Sequence, residues 1–343
     1  MALKRSLWRA LLLATCLLAG TTCLAAEGAS ADSADAPPPA TGNCPPRASA
    51  WEPKDGWQAA AQRATDHGLL WRLEKGGHVS WLYGTIHVAR AEWMLPGPAI
   101  REALKQSDAV ALELDLTDES ATKRAFDTRK DAADARLMTG ARSQRMNRLM
   151  TAACVTDPLA AKLRKLAPAM QLATLSALEV RADGLYPDFG IDLFLTGYAK
   201  RAQVPILPLE TVEQQLRVLD EILPKKDQAQ QIDSALDAME SGESRTQMLT
   251  LANAWADGDI GTLEHYPQWC DCLKTAADRR AFRHLVTDRN RAMADNIARA
   301  HTRGKRVFGA VGALHMIGPK GLPALLAARG FAVTPVVPPA ASR

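Results

Sequence analysis

Short, continuous apolar runs punctuate this chain at six places, and longer stretches of helical periodicity separate them. The runs are Leu69 to Leu73, Val79 to Tyr83, Ala109 to Leu116, Val204 to Leu209, Arg306 to Val311 and Phe331 to Val336. Several lack the polar alternation of a half-exposed strand, as parallel strands covered on both faces do. The first two flank Lys75-Gly76-Gly77, which predicts a hairpin. Pro98 suits the first position of a helix that places Ala99, Ile100, Ala103 and Leu104 on one face. Thr117 or Asp118 suits the cap of a second helix. From Asp118 to about Ala202 no strand is legible, and the pattern is helical throughout. Further helical stretches run from Leu209 to Asp257, from Thr275 to about His301, and from near Pro319 to the last strand. The pattern predicts an α/β fold: a central, mostly parallel sheet with flanking helices and a large helical insertion, about residues 118–202, in the middle of the chain.

The chain ends and the cysteines add to this picture. Lys4, Arg5 and Arg9 precede the apolar run Ala10 to Gly20, and Cys23-Leu24-Ala25-Ala26 supplies small residues for cleavage. Residues 1–26 therefore read as a secretory signal, too short for a membrane span, and predict export to the periplasm or cell envelope. Neither Thr21-Thr22 before Cys23 nor Ala14-Thr15 before Cys16 fits a lipoprotein signal. Residues 27–60 read as a disordered Ala/Pro-rich leader, 61–337 as a single domain, and 338–343 as a tail. No later segment reaches the roughly 20 apolar residues of a membrane helix. Removing the signal takes away three basic residues and no acidic one, so the net charge falls from +4 to about +1. A near-neutral chain has no bulk attraction for nucleic acid or an anionic membrane. Cys44, Cys154, Cys270 and Cys272 remain, and in an oxidising compartment they predict two disulfides. One residue separates Cys270 from Cys272, a spacing unfavourable for a bridge. The expected pairing thus joins Cys44 and Cys154 each to one of that pair, with a Cys-x-Cys metal site as the alternative.

Two copies of Gly-x-x-His close apolar strands: Gly84-Thr85-Ile86-His87 and Gly312-Ala313-Leu314-His315. Glycine permits a positive φ or a close approach, and in open α/β sheets ligands gather beyond the carboxyl ends of strands. Other strands deliver Glu113 and Glu210, so the chain offers His then Glu, and later Glu then His. Two imidazoles and one carboxylate are a common ligand set for a divalent metal, which acidifies water and polarises a carbonyl. His87, His315 and Glu113 are the expected metal ligands, and Glu210 is a further ligand or a general base. On an alternating strand Glu113 and Asp115 share a face, so simple solvent exposure is the competing reading; buried and unpaired, Glu113 would be costly. His67, His78, His265, His284 and His301 stand in turns, loops or a charged helix and carry no chemistry in this reading. The chain has no His-Glu-x-x-His, Gly-x-Ser-x-Gly or Gly-x-x-x-x-Gly-Lys. That argues against a helix-borne zinc peptidase, the common serine hydrolase and a phosphate loop.

Longer stretches around these residues resemble the TraB/GumN family, which includes the Tiki proteases that act on Wnt. The stretches are Leu82 to His87, the Glu113 strand, Gly190 to Leu195, Val204 to Ile206, Leu209 to Gln214, Asp288-Arg289-Asn290, and Val311 to Gly318. The resemblance runs from about Leu69 to Val336. It implies a metal-dependent site with His87, Glu113 and His315 as ligands, and manganese or cobalt as the metal, zinc being an alternative. Asp192, Glu210 and Arg289 match further motif positions and are the candidate catalytic residues. Tiki members cleave an amino-terminal peptide, whereas other relatives are linked to pheromone shut-down. The expected function is an exported metal-dependent hydrolase, a peptidase acting on a peptide or protein. In it Glu210 would serve as base, and Arg289 would hold a substrate carboxylate or the developing oxyanion. The alternatives are a non-catalytic envelope module for peptide, metal or haem, and an envelope protein whose helical insertion recruits a partner.

Overall fold

All six apolar runs become strands of one sheet. In the computed structural model they are β1 (Leu69–Lys75), β2 (His78–Thr85), β3 (Ala109–Leu112), β4 (Ile206–Pro208), β5 (Val307–Gly312) and β6 (Ala332–Pro335). The structure describes residues 44–115, 117–118, 136–222, 228–273 and 275–337. The expected secretory signal, the leader before Cys44, most of the helix expected after Asp118 and the tail lie outside the described residues. Across the sheet the order is β4-β3-β5-β2-β1-β6. The four strands from β4 to β2 are mutually parallel, and β1 runs antiparallel to both β2 and β6. Val110, Ala111, Val307, Phe308, Ala310 and Val311 are buried, so β3 and β5 are covered on both faces. That double cover explains why their sequences show no alternation. The β1–β2 hairpin turns through Gly76 and Gly77, whose φ values are +62° and +80°.

Strand β3 is shorter than its apolar run because the chain leaves the sheet at Glu113. Asp115 then lies in the following loop, where it accepts from Thr117, and shares no strand face with Glu113.

Helices α1 (Gly56–Arg63) and α2 (Pro98–Lys105) precede β3. Pro98 opens α2 as the pattern requires, and Ile100, Ala103 and Leu104 are buried. Its first turn is capped from a distance, by the Asp66 carboxylate accepting from Ala99 and Ile100 N–H groups at 3.0 Å each. Between β3 and β4 come α3 (Ala141–Ala152), α4 (Leu159–Leu163), α5 (Pro168–Glu179) and α6 (Ile191–Ala202). Helix α6 packs Ile191, Leu195 and Ala199 into the sheet core and is the crossover to β4. Helices α3 to α5 instead join the later helix Gln228–Glu240 in a second core built on Met146, Met150, Leu163, Leu172 and Leu236. The inserted layer is therefore narrower than 118–202.

After β4 follow α7 (Val212–Ile222), α8 (Gln228–Glu240) and α9 (Glu243–Ala256). The long helix expected from Thr275 is two α-helices, α10 (Ala276–Phe282) and α11 (Asp288–Thr302), joined without a break by a π-helical turn, Arg283–Thr287. Thr275 and Asp278 form a reciprocal capping box at its start. The last helix, α12 (Leu322–Ala327), starts later than Pro319 because the chain first turns at Gly318, φ +71°. No helix among the described residues is long and apolar enough to cross a membrane.

Two expectations need correction. The disulfides are Cys44–Cys154 and Cys270–Cys272, not cross-pairs between the two groups. Asp271 takes a left-handed φ of +53°, and that turn brings its flanking Cα atoms to 5.0 Å, within bridging range. The end of the expected leader is also structured: residues 48–50 form a helical turn, and α1 starts at Gly56. Trp51 supplies the anchor that the Ala/Pro content conceals, packing edge-on against Phe189 and Trp57.

The two bridges are expected to differ in worth. Cys44–Cys154 spans a separation of 110 residues and Cys270–Cys272 a separation of 2. On loop-closure entropy the first contributes about 4–5 kcal/mol and the second about 1–2 kcal/mol. Denaturant unfolding of the two Cys→Ser double variants will show the larger loss for Cys44 and Cys154.

Candidate metal centre

Parallel register brings the two Gly-x-x-His motifs together. Strands β2 and β5 are neighbours, with Thr85 opposite Gly312, so His87 and His315 leave the sheet side by side. On the other side of β5, Leu112 of β3 pairs with Ala310, which sets Glu113 beside Gly312. The Gly312 N–H donates to Glu113 Oε1 at 3.0 Å. Strand β4 continues the series, and the Glu210 N–H donates to the Glu113 carbonyl oxygen at 3.0 Å. Four parallel strands thus present His87, His315, Glu113 and Glu210 at one edge, their carboxyl end.

The motif glycines serve close approach and not a left-handed turn, for neither has a positive φ. A Cβ on Gly84 would lie 3.3 Å from Met316 Cγ and 3.4 Å from Ala313 Cα. A Cβ on Gly312 would lie 3.5 Å from Glu113 Oε1, 3.7 Å from His315 Cδ2 and 3.7 Å from His87 Nε2. All three expected ligands therefore border one small space, to which Gly312 contributes no side chain.

Neighbouring polar groups orient both imidazoles. His87 Nδ1 lies 2.6 Å from Asp192 Oδ2, while Asp192 Oδ1 accepts from Thr85 Oγ1 at 2.7 Å. A carboxylate oxygen only accepts, so His87 Nδ1 carries a proton and Nε2 is the nitrogen left for a ligand. Asp192 reaches this position from the first turn of α6, docked by the Ile191 N–H on the Ile86 carbonyl at 2.9 Å. Gly190 permits that docking, because a Cβ there would be 2.7 Å from the His87 carbonyl oxygen. His315 Nδ1 meets Asn290 Oδ1 at 2.5 Å. The Asn290 amide is fixed by its NH2 group donating to the carbonyls of Lys320 and His315, which leaves Oδ1 to accept from His315 Nδ1. Burial drives the His315 pKa down to about 3, so the ring is neutral at physiological pH. Imidazoles held through Nδ1 with Nε2 turned inward are arranged as metal ligands usually are.

Behind Glu113 stands Arg289 of α11. Its Nη2 donates to Glu113 Oε2 at 2.6 Å and also to Glu210 Oε2, while Nε lies 3.0 Å from both Glu210 oxygens. Its Nη1 donates to the Leu285 carbonyl at 2.7 Å, an oxygen offered by the π-helical turn. Gln215 adds a hydrogen bond to Glu210 Oε2 at 3.1 Å and a long one of 3.5 Å to Glu113 Oε2. Burial opposes ionisation of Glu113, but the Arg289 guanidinium above all, together with the Gly312 N–H, outweighs it, and the pKa falls to about 2.

These contacts define the partners of the remaining candidates. Arg289 and Glu210 are engaged with each other and with Glu113, and Asp192 with His87. Thr85 and Gln215 carry polar contacts that the sequence reading did not assign, and Asn290 was read only as part of a motif. Thr85 lies inside a Gly-x-x-His and Asn290 next to Arg289, but nothing local marks Gln215. His301 is buried at the opposite end of the sheet. There its ring nitrogens lie 2.8 Å from Ser80 Oγ and 2.9 Å from the Lys75 carbonyl, closing the hairpin end.

The donor set fits a divalent cation in chemistry: two imidazoles each held through Nδ1, and one ionised carboxylate. Among the described residues, no three such side chains already stand at ion-holding distances. Ligation at about 2.0–2.2 Å would draw the three inward toward Gly312. A cleft opens beside them, about 630 Å³ including the solvent at its mouth, and is walled mainly by apolar side chains.

Fold and cluster together define an α/β protein with a histidine–carboxylate centre at the carboxyl end of a parallel sheet. The chain belongs to the TraB/PrgY/gumN family, whose pattern it matches over residues 69–335. The uncharacterized protein YbaP of Escherichia coli (strain K12) is 28% identical over 274 residues, covering 75% of this chain and 96% of YbaP. YbaP of Shigella flexneri is likewise 28% identical over 274 residues. No solved structure shows a significant match to the chain.

Two outcomes are expected of the metal-free protein. Arg289→Met strands two buried carboxylates and will cost on the order of 3–5 kcal/mol at pH 7 by denaturant unfolding. Because the folded pKa of His315, about 3, lies below the ordinary 6.5, the unfolded chain binds the extra proton between those values. Its contribution to stability is complete above pH 6.5 and falls away toward pH 3, with a limiting slope of about 1.4 kcal/mol per pH unit. His315→Gln will flatten the wild-type stability profile over that window.

Proposed function

We propose that this protein is an exported metal-dependent hydrolase whose substrates are the amide bonds of peptides or proteins. The observation that carries the reading is the convergence of His87, His315 and Glu113 on the space around Gly312. These three residues would hold the ion, with manganese and cobalt the first candidates and zinc the next. When bound, such a cation acidifies a water molecule and polarises a carbonyl, which is the chemistry of metal-assisted hydrolysis.

The protein's own groups prepare the centre. Asp192 and Asn290 hold the two imidazoles through Nδ1, which leaves Nε2 of each as the nitrogen that would ligate. Arg289 keeps Glu113 ionised, and a carboxylate with so low a pKa suits ligation better than proton storage. Glu210 accepts from Arg289 Nε and Nη2 and, with Gln215, holds Arg289 in register. We therefore give Arg289, Glu210 and Asp192 positioning roles in place of direct contact with substrate. The neutral state of His315 spares the cation a repulsive neighbour.

Metal content of the purified protein tests the reading. Wild type is expected to bind Mn²⁺, Co²⁺ or Zn²⁺ stoichiometrically, and His87→Ala and His315→Ala to lose most of it. Gly312→Ala is the sharper probe, because its methyl would meet its neighbours only at ordinary contact distances of 3.5 to 3.7 Å. It should fold normally, keep every donor and still bind metal poorly. Equal metal binding by all four proteins would defeat the proposal. Metal binding without metal-dependent cleavage of a peptide library would leave a binding module.

A further inference from the structure

We infer that the cleft beside the His87–Glu113–His315 cluster is a recognition pocket for a large apolar side chain of a peptide. The inference deepens the proposed function and rests on it for the peptide nature of the ligand. The polar lining of the cleft comes from Thr85, Glu113 and the two histidines. The remaining wall comes largely from two helical segments. Helix α9 contributes Met248, Leu251 and Trp255, a stripe at spacings of three and four residues that turns one helical face inward. Leu285 and Val286 come from the π-helical turn, and neither segment adds a charged side chain to the lining.

The wall is held in shape. Trp255 is fully buried, and its indole N–H donates to the Gly84 carbonyl at 2.7 Å, tying α9 to the strand that carries His87. The π turn offers the Leu285 carbonyl to Arg289 while its Leu285 and Val286 side chains line the cleft. One local distortion thus supports both the charged cluster and the apolar wall, and π turns are frequent at functional sites. The largely apolar lining suits an apolar side chain. A charged side chain entering it would lose water and meet no opposite charge on the wall. Burial of a Leu or Phe side chain gains enough to favour apolar residues by about tenfold or more.

Capped tripeptides Ala-Xaa-Ala, with Leu, Phe, Asp or Lys in the centre, test this on the full chain without requiring turnover. Binding is read from the methyl resonance of Met248 in methionine-labelled protein. The Leu and Phe peptides are expected to shift it and to bind at least about tenfold more tightly than the Asp and Lys peptides. Leu251 is only partly buried, so Leu251→Arg should fold, bind metal like wild type and lose most of that selectivity. No shift, or equal affinity for all four peptides, overturns the inference. Metal-dependent cleavage of a peptide library with no apolar preference near the cut bond also overturns it, while leaving the hydrolase intact. Apolar-selective binding without cleavage by any divalent metal supports the pocket and removes the hydrolase.

Discussion

One guanidinium between two buried carboxylates is the interaction on which the candidate centre depends. Glu113 and Glu210 are each nearly shut off from solvent, and so is Arg289. Two negative charges at such short range would repel in a poorly polarisable interior, and one or both would take up a proton. Arg289 removes that choice. It also joins three elements that are distant in sequence, since Glu113 follows β3, Glu210 follows β4 and Arg289 belongs to α11. Charge state and architecture are therefore set by the same contact. A lysine could supply the charge but not the planar fork that reaches both acids at once.

The sheet was legible in the sequence because burial on both faces writes itself as unbroken apolar runs, and all six strands lie within or close to them. The three expected ligands share a space because strand ends can be read and parallel neighbours align those ends. Legibility stopped where the decisive contact is remote or conformational. No local signal says that Gln215 bonds Glu113, or that Asp66 caps a helix more than thirty residues away. A spacing argument for Cys270 and Cys272 failed because it assumed ordinary backbone at Asp271, whose left-handed φ closes the gap. A run of charges in a helix usually marks a solvated face, yet Arg289 and Asn290 turn inward while Asp288 and Arg291 stay exposed. Nor does side-chain periodicity disclose a π turn, which shifts the register within an otherwise continuous helix.

The molecule divides its labour between two apolar cores. The sheet core supplies the strand ends and therefore His87, Glu113 and His315, placed side by side by backbone register. The helical core, shared between the inserted layer and later helices, supplies Leu285, Val286 and Leu314 to the cleft. Ile86, Val88 and Trp255 face them from the sheet side. The cleft thus lies along the seam between cores, a place where wall residues can vary without disturbing the groups that fix the histidines.

The Cys44–Cys154 bond has a mechanical meaning in that setting. Cys154 sits just beyond α3, next to Val155 of the helical core, while the segment that starts at Cys44 leads to Trp51, packed against the sheet core. Tyr186 holds the same segment down through the Pro46 carbonyl at 3.0 Å. The bond is a covalent strap laid across the two halves, and it caps how far roof and floor can part. Such a tether leaves room for small breathing of the walls and forbids their wholesale separation.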